Sequence, residues 1–530
     1  IIVKNGAAFT APASDGLTRP DGDTGDYFKW LGSDGKLYTP GDSVPADVTL
    51  LTAKWVNSVS TEDELREALD AGETSIKLVG DIKLSSTLDL TDKNITLDLN
   101  GYVLTGNIQL ADSSASPDSI LTLIDSNPTA THADSSLPAG GVVKGNITLT
   151  RGSGSVSHLY ANGGTVTGQT SLPSYAGGIF CTSDTPTAFT GYVGNYGEIH
   201  SGIFYAGINE SCIKENTVTF MNGDSRYALE VVASGNKVVA PVSTPLKAGY
   251  DFVGWYNSDT KYEFNQTITS DITLTAQWTP AEQFNLTPGG TYWFDLSGEN
   301  IPGTVNTGNS DGAASVPDTT LHYVPFTYAG TVDAYKLTSA MQTTEDYAEQ
   351  NKYPHSLFVS DYAVTHTVRW YTLNIASLIF GKSYTGGSVD YTLRAPSMGS
   401  WCTGSGDSAR GTPQSNEWDA VLDKNSGYIK NWNGIDSWGQ DSDSIWGGGN
   451  RVTRGWNSAR FWSLGDTSLK SANVGFRPVL EVLNTDALGP DGLKAVTLDL
   501  NGGKLGGSTD NIQIIVKNGA AFTAPASDGL

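Results

Sequence analysis

Three sets of residues have types and spacings that could do chemistry. The first is a stretch that mixes aromatics with carboxylates, Asp436-Ser437-Trp438-Gly439-Gln440-Asp441-Ser442-Asp443-Ser444-Ile445-Trp446. With Asn450, Arg454 and Trp456 it reads as a polar aromatic pocket, because exposed rings stack on sugars or peptides. Asp441 and Asp443 in the same stretch could hold Ca²⁺. For any single tryptophan, filling the core of a loop-rich fold is the plainer and favoured reading. The second set is Asp81, Asp89, Asp92 and Asp98. Acid–base cleavage of a glycan needs converging carboxylates or a bound cation, whereas each of these lies in a turn or on a polar strand face, so solvated turns are favoured. The third set is the thiols and imidazoles. Cys402 has no base fixed beside it by sequence, and a lone thiol is a weak nucleophile. His132, His158, His200, His322, His355 and His366 form no HExxH and no close metal pair. No catalytic residue, metal or cofactor is therefore expected, apart from the Ca²⁺ option.

The composition narrows the class. At about 100–200 residues per domain, 530 residues suggest three to five domains. Lys+Arg at 32 against Asp+Glu at 56 gives a net charge of −24. That sign argues against nucleic acid, whose phosphates need clustered cations, and suits a solvated exterior. Charged residues make up 17%, below the usual share of roughly 25%. No run of about 18 apolar residues is present, so no membrane span is expected. The chain opens Ile1-Ile2-Val3 with neither Met nor a signal peptide, and reads as a processed chain or a window on a longer one.

The ends repeat each other. Residues 1–17, IIVKNGAAFTAPASDGL, recur as residues 514–530, an offset of 513. Seventeen consecutive identities point to a long-period repeat rather than chance. In the middle, residues 217–278 carry Gly249-Tyr250-Asp251-Phe252-Val253-Gly254-Trp255-Tyr256 and close on Thr273-Leu274-Thr275-Ala276-Gln277-Trp278. The closing alternation marks a half-buried strand, with Trp278 over a small core. This segment resembles the internalin B-repeat (Listeria–Bacteroides repeat), a small β-grasp-like module of bacterial surface proteins. Joining the chain ends produces a second such repeat. Tyr27-Phe28-Lys29-Trp30-Leu31 lies over Phe252-Val253-Gly254-Trp255-Tyr256, and Leu51-Thr52-Ala53-Lys54-Trp55 lies over Leu274-Thr275-Ala276-Gln277-Trp278, with Lys29 departing from Gly254. The front of that repeat is residues 494–530 and its back is residues 1–55. Half of so small a domain cannot bury a core. The expected junction residues are Ile1, Ile2, Val3, Trp30 and Trp55 from one half and Val496, Leu498, Leu500, Ile514, Ile515 and Val516 from the other. The expected partners are identical repeats or subunits, head to tail, joined covalently in a giant tandem array or by strand complementation; the array is favoured.

Between these modules the pattern changes twice. Thr61-Glu62-Asp63-Glu64 is a capping-box pattern, with Leu65, Ala68 and Leu69 at helical spacing. Short alternating strands follow, with Gly-Gly-Val-Val at 140–143, Gly-Gly-Thr-Val at 163–166, Gly-Gly-Ile-Phe at 177–180 and Ser-Gly-Ile-Phe at 201–204. Coils of about 20–25 residues suggest a parallel solenoid capped by the helix. Residues 56–215 resemble the right-handed β-helix modules of bacterial surface proteins, a fold that also houses polysaccharide lyases. Cys181 and Cys212 would lie on neighbouring coils, as a disulfide or, the favoured reading, as two buried thiols. Residues 281–485 hold nine of the 13 tryptophans and close on Asn473-Val474-Gly475-Phe476-Arg477-Pro478-Val479-Leu480-Glu481. They resemble the formylglycine-generating-enzyme-like branch of the C-type lectin fold. The resemblance implies a last core strand of Val474, Phe476, Val479 and Val482, with Arg477 held by internal acceptors. That chemistry uses a cysteine pair, and Cys402 stands alone there. The expectation is a mainly β, multidomain chain: split B-repeat (1–55), β-helix (56–215), B-repeat (216–280), lectin-like α+β domain (281–485) and split B-repeat (494–530). It would be extracellular, at a bacterial surface, as a fibre or adhesin unit. The alternatives are an adhesin whose lectin-like domain binds host or neighbouring-cell glycan or protein, and, more weakly, a lyase.

Overall fold

The computed structural model describes residues 7–14, 16–18, 27–33, 37–38, 40–56, 58–111, 118–150, 156–172, 177–183, 185–264, 266–308, 316–333, 353–443 and 449–530. The chain is mainly β and divides into two compact units, Ile1–Leu246 with Phe252–Trp278, and Lys247–Asp251 with Thr279–Leu530. Among the described residues no helix is long and apolar enough to cross a membrane.

The first unit opens with a small sheet in which Tyr27–Gly32 pairs antiparallel with Leu37–Tyr38 on one side and Leu51–Val56 on the other. The helix Glu62–Asp70 follows where the capping box places it. Thr61 accepts from the Glu64 N–H at 3.2 Å, and Glu64 Oε2 reaches back to the Ser60 N–H at 2.7 Å. Its apolar stripe, Leu65, Ala68 and Leu69, is buried on the solenoid core.

That core is built from three parallel sheets visited in rotation. One runs from Ser58–Val59 to Glu198–Ile199, the second from Ile82–Lys83 to Gly202–Phe204, the third from Leu88–Asp89 to Val193–Asn195. Identical register stacks like on like: Ile95, Leu121, Leu159, Ile179 and Ile199 form one column, and Leu104, Val143, Val166, Phe189 and Phe204 another. All are buried, and Phe189 stacks on Phe204 with centroids 5.1 Å apart. The glycine-led motifs do not mark one position in the coil. Those before Val142, Thr165 and Ile203 enter the second sheet, whereas Gly178-Ile179-Phe180 belongs to the first, which explains its odd spacing. Cys181 and Cys212 are both free buried thiols, so they form no disulfide.

The solenoid's last strand does not end in solvent. Gly202–Phe204 pairs antiparallel with Ser225–Val232, which belongs to the following repeat. In that repeat Asn216–Asn222 forms a hairpin with Ser225–Val232 and pairs parallel with Ile272–Pro280, the arm Tyr250–Asn257 lying beyond.

The second unit centres on two six-stranded sheets. One holds Thr291–Phe294, Val324–Val332, His355–Ser360, Val479–Val482, Val389–Arg394 and Lys382–Gly386. The other holds Thr304–Val305, Thr365–His366, Val474–Phe476, Asp436–Ser442, Asn450–Gly455 and Trp462–Asp466. The expected single closing strand is two, one in each sheet. Pro478 has no N–H to continue a ladder, so the strand breaks there and changes sheet. The C-terminal hairpin, Leu493–Leu498 with Ile512–Lys517, packs on this domain through Leu493 and Ile515.

At one corner of the solenoid the coils approach so closely that only glycine fits. A Cβ on Gly145 would stand 1.9 Å from the Gly106 carbonyl oxygen, one on Gly168 2.1 Å from that of Gly145, and one on Gly191 2.1 Å from that of Gly168. Backbone cannot swing away as a side chain can, so Gly168→Ala should destabilise this unit by about 1–3 kcal/mol. Urea denaturation of the variant is the check, and an unchanged midpoint would show that the coils spread freely at this corner.

Candidate assembly junction and aromatic strands

The complete repeat defines what the split one lacks. Its core is Val218, Phe220, Ala228, Val232, Val238, Trp255, Leu274 and Ala276, all buried. The rings of Phe220 and Trp255 meet edge-on at 4.9 Å. The parallel pairing sets Val218 opposite Ile272, Thr219 opposite Thr273 and Phe220 opposite Leu274. Glu230 sits in the same repeat, opposite Val218 in the hairpin, with both oxygens accepting from the Val239 N–H at 3.0 and 3.2 Å. Burial pushes its carboxyl up to about 8, against the lowering effect of that N–H.

The N-terminal half closes a reduced core of Ala11, Tyr38, Val44 and Val48, flanked by Phe9, Trp30 and Leu51. Phe9–Thr10 pairs with Ser43–Val44, and Trp30 Nε1 donates to the Pro12 carbonyl at 2.8 Å. Lys29, the departure from Gly254, is buried and reaches Glu67 of the helix at 3.1 Å. Trp55 lies in the strand Leu51–Val56. Ile1, Ile2 and Val3 lie outside the described residues.

The C-terminal half brings the remaining junction residues together. In its hairpin Val496 faces Ile514 and Leu498 faces Ile512. Ile515 and Val516 are buried, while Val496, Leu498, Leu500 and Ile514 are half-buried. Leu498 and Leu500 pack with Leu505 and Ile512 on Tyr323 and Trp293. The tail folds over them, the Tyr323 hydroxyl donating to the Ala526 carbonyl. Each half thus draws partial cover from its own unit. Two residues escaped the sequence reading: Phe9, packed against the N-terminal core, and Phe522, on the C-terminal tail. The signal was present, since Phe9-Thr10-Ala11-Pro12 falls over Val238-Val239-Ala240-Pro241 at the offset that superposes Val3 on Val232.

The described part of the aromatic stretch, residues 436–443, is largely buried. Trp438 is fully buried, its Nε1 donating to the Val368 carbonyl at 3.0 Å. Arg454, opposite Ser437, is equally buried and bonds Asp419 Oδ1 at 2.9 Å. Asp441 is buried and accepts from the main-chain N–H groups of Met398 and Gly399 at 2.5 and 3.1 Å. Asp443 is buried, and its N–H donates to the Asn450 carbonyl at 3.3 Å. Asn450 begins the strand paired with Trp462–Asp466, and Trp456 is half-buried at φ 77°. Trp446 lies outside the described residues. The strands therefore bring this set together, but Trp438 and Arg454 face the core instead of lining a surface pocket. Among the described residues no three His, Cys, Asp or Glu side chains gather as metal ligands. Arg477 is held as expected, Nη1 donating to the Ser360 carbonyl at 2.7 Å and Nε to Ser437 Oγ at 3.2 Å.

The solenoid carboxylates serve turns. Asp98 Oδ1 accepts from the Asn100 and Ser126 N–H groups, both at 2.9 Å, and Asp81 from that of Val103 at 2.9 Å. A cleft of about 400 Å³ does exist in the second unit, lined by Trp293, Asp295, His322, Tyr384, Ile514 and Phe522 among others. No local motif marks it, because its walls come from strands and a tail far apart in sequence.

Residues 217–277 match the Listeria-Bacteroides repeat domain. The match covers the complete repeat described above and points to a bacterial surface-associated repeat protein. No curated protein and no solved structure matches the chain.

Glu230 gives the matched repeat a pH dependence. Between its ordinary pKa of about 4.3 and its folded value near 8, the folded state binds the extra proton, so stability falls as pH rises across that window. Glu230→Gln should flatten this fall and leave the repeat more stable than wild type at pH 8.5. Urea titrations from pH 5 to 8.5, read by pulsed hydrogen exchange on peptides of residues 217–277, would show parallel curves if Glu230 were ordinary.

Proposed function

We propose that this chain is a structural repeat unit of an extracellular bacterial filament or giant tandem-repeat surface adhesin, linked head to tail through the split repeat. The observation that carries the reading is the recurrence of residues 1–17 at 514–530 inside two complementary half-repeats. Between them, the halves hold a counterpart of each strand of the complete repeat: a hairpin in one, an arm and a closing strand in the other. The rotation of strands through three parallel sheets supports a β-helix in the stretch 56–215. The lectin-like reading of 281–485 rests on its closing motif, whose two strands sit inside both sheets of that domain. The unit works by packing and main-chain pairing, without catalysis and without a cofactor.

A ligand-binding adhesin is the second reading. It is favoured by the cleft of about 400 Å³, where Trp293 and Tyr384 stand beside the Asp295–His322 pair at 3.0 Å. Aromatic faces next to paired polar groups suit a glycan or a peptide.

The deciding measurement is the mass of native material after full denaturation under reducing conditions, with electron micrographs of the same sample. One species at many multiples of 56.0 kDa is expected, from filamentous material. A band near 56 kDa from filaments would mean separate subunits sharing strands. Short particles at that mass would overturn the fibre reading.

A further inference from the structure

The fibre reading says that neighbouring copies meet at the split repeat; the strand edges say how. In the complete repeat the first hairpin strand lies parallel to the closing strand, and this pairing buries Val218, Phe220 and Leu274 completely. Superposing TVTF at 217–220 on AVTL at 495–498, and Leu274 on Leu51, carries the register across. The counterparts are left short of that burial. Val496, Leu498 and Leu51 are half-buried, and Leu50, counterpart of Thr273, is 62% exposed.

Both strands are also edges. Among the described residues Leu493–Leu498 pairs only with its hairpin mate, and Leu51–Val56 ends a three-stranded sheet. An open edge carries a row of unpaired N–H and C=O groups and accepts another strand readily. The tail that covers the hairpin has a second place available to it. Its residues Phe522–Ala524 are exposed and outside any strand, whereas of the identical Phe9–Ala11 the first two pair with Ser43–Val44 and Ala11 is buried.

We propose, resting on the fibre reading, that Leu493–Leu498 of one copy adds parallel to Leu51–Val56 of a second copy of this chain, with Leu498 opposite Leu51 and Thr497 opposite Leu50. The shared seventeen residues then run from the hairpin into the place that Phe9–Ala11 occupy. The added strand completes the sheet order of the intact repeat, and Leu498 and Leu51 close the gap that Phe220 and Leu274 fill there.

The test is a chain of two repeats fused through the shared seventeen residues, with Cys402→Ser throughout to remove the half-buried thiol. Thr497→Cys is placed in the first repeat and Leu50→Cys in the second; both native side chains are exposed. Mild oxidation should join them in most molecules, as read by mass spectrometry of the linked peptides. The pair Ala495→Cys and Leu50→Cys should stay reduced, because a shift of two residues adds about 6.6 Å along the strand, beyond disulfide reach. Linkage of the shifted pair, of neither pair, or only between Thr497→Cys and a different chain would overturn the pairing. Native material that is still one giant filamentous species would then leave the fibre reading standing, so the two failures are distinguishable.

Discussion

Main-chain hydrogen bonding along strand edges is the constraint from which the rest follows. A buried or exposed strand edge must find a partner, water or a cover, and this chain meets the demand differently at each place. The helix Glu62–Asp70 covers the first end of the solenoid core, and the hairpin strand Ser225–Val232 takes up the last edge of its second sheet. Inside the stack the described strands of each coil pair with those of the next, so apolar columns such as Ile95 to Ile199 need no large globular core around them. In the half-repeats, by contrast, Leu493–Leu498 and Leu51–Val56 are each left at the end of a small sheet.

In the second unit the equivalent discipline falls on charge. Arg394, Arg454 and Arg477 are each fully buried, a costly state unless the guanidinium is matched. Arg394 meets Glu417 at 2.6 Å and Glu481 at 2.8 Å, and Glu417 also takes His355 at 2.6 Å. Arg394 and its companions hold the Glu417 carboxyl far below its usual range despite burial. These groups tie the two six-stranded sheets to the helix Glu417–Lys424.

What could be read from the sequence was local or whole. The helix was legible because Thr61, Glu64 and the Leu65/Ala68/Leu69 stripe lie within one short window. The complete repeat was legible because its full pattern is contiguous. The strand Asp436–Ser442 was not. Its Asp, Ser, Gly and Gln spell no strand pattern, yet it is almost wholly buried, with Trp438 and Asp441 bonded to Val368, Met398 and Gly399, some 40 to 70 residues away. The glycine-led motifs misled in a related way. Rotation through three sheets puts similar sequences on different faces, and only register assigns them. Pro478 shows the same limit, since its missing N–H divides a strand that composition alone would leave whole.

The uniform register of the coils has a mechanical consequence. Strands lie across the stacking direction, so a pull along it acts in line with the hydrogen bonds and opens them as a zipper, one rung before the next. Val142, Thr165 and Ala188 follow each other at intervals of 23 residues, and each of these two coils would pay out about 80 Å of extended chain on release. A sheared sheet of the same size would hold until all its bonds failed together. Pulled in that direction, this architecture instead yields coil by coil, in successive small steps.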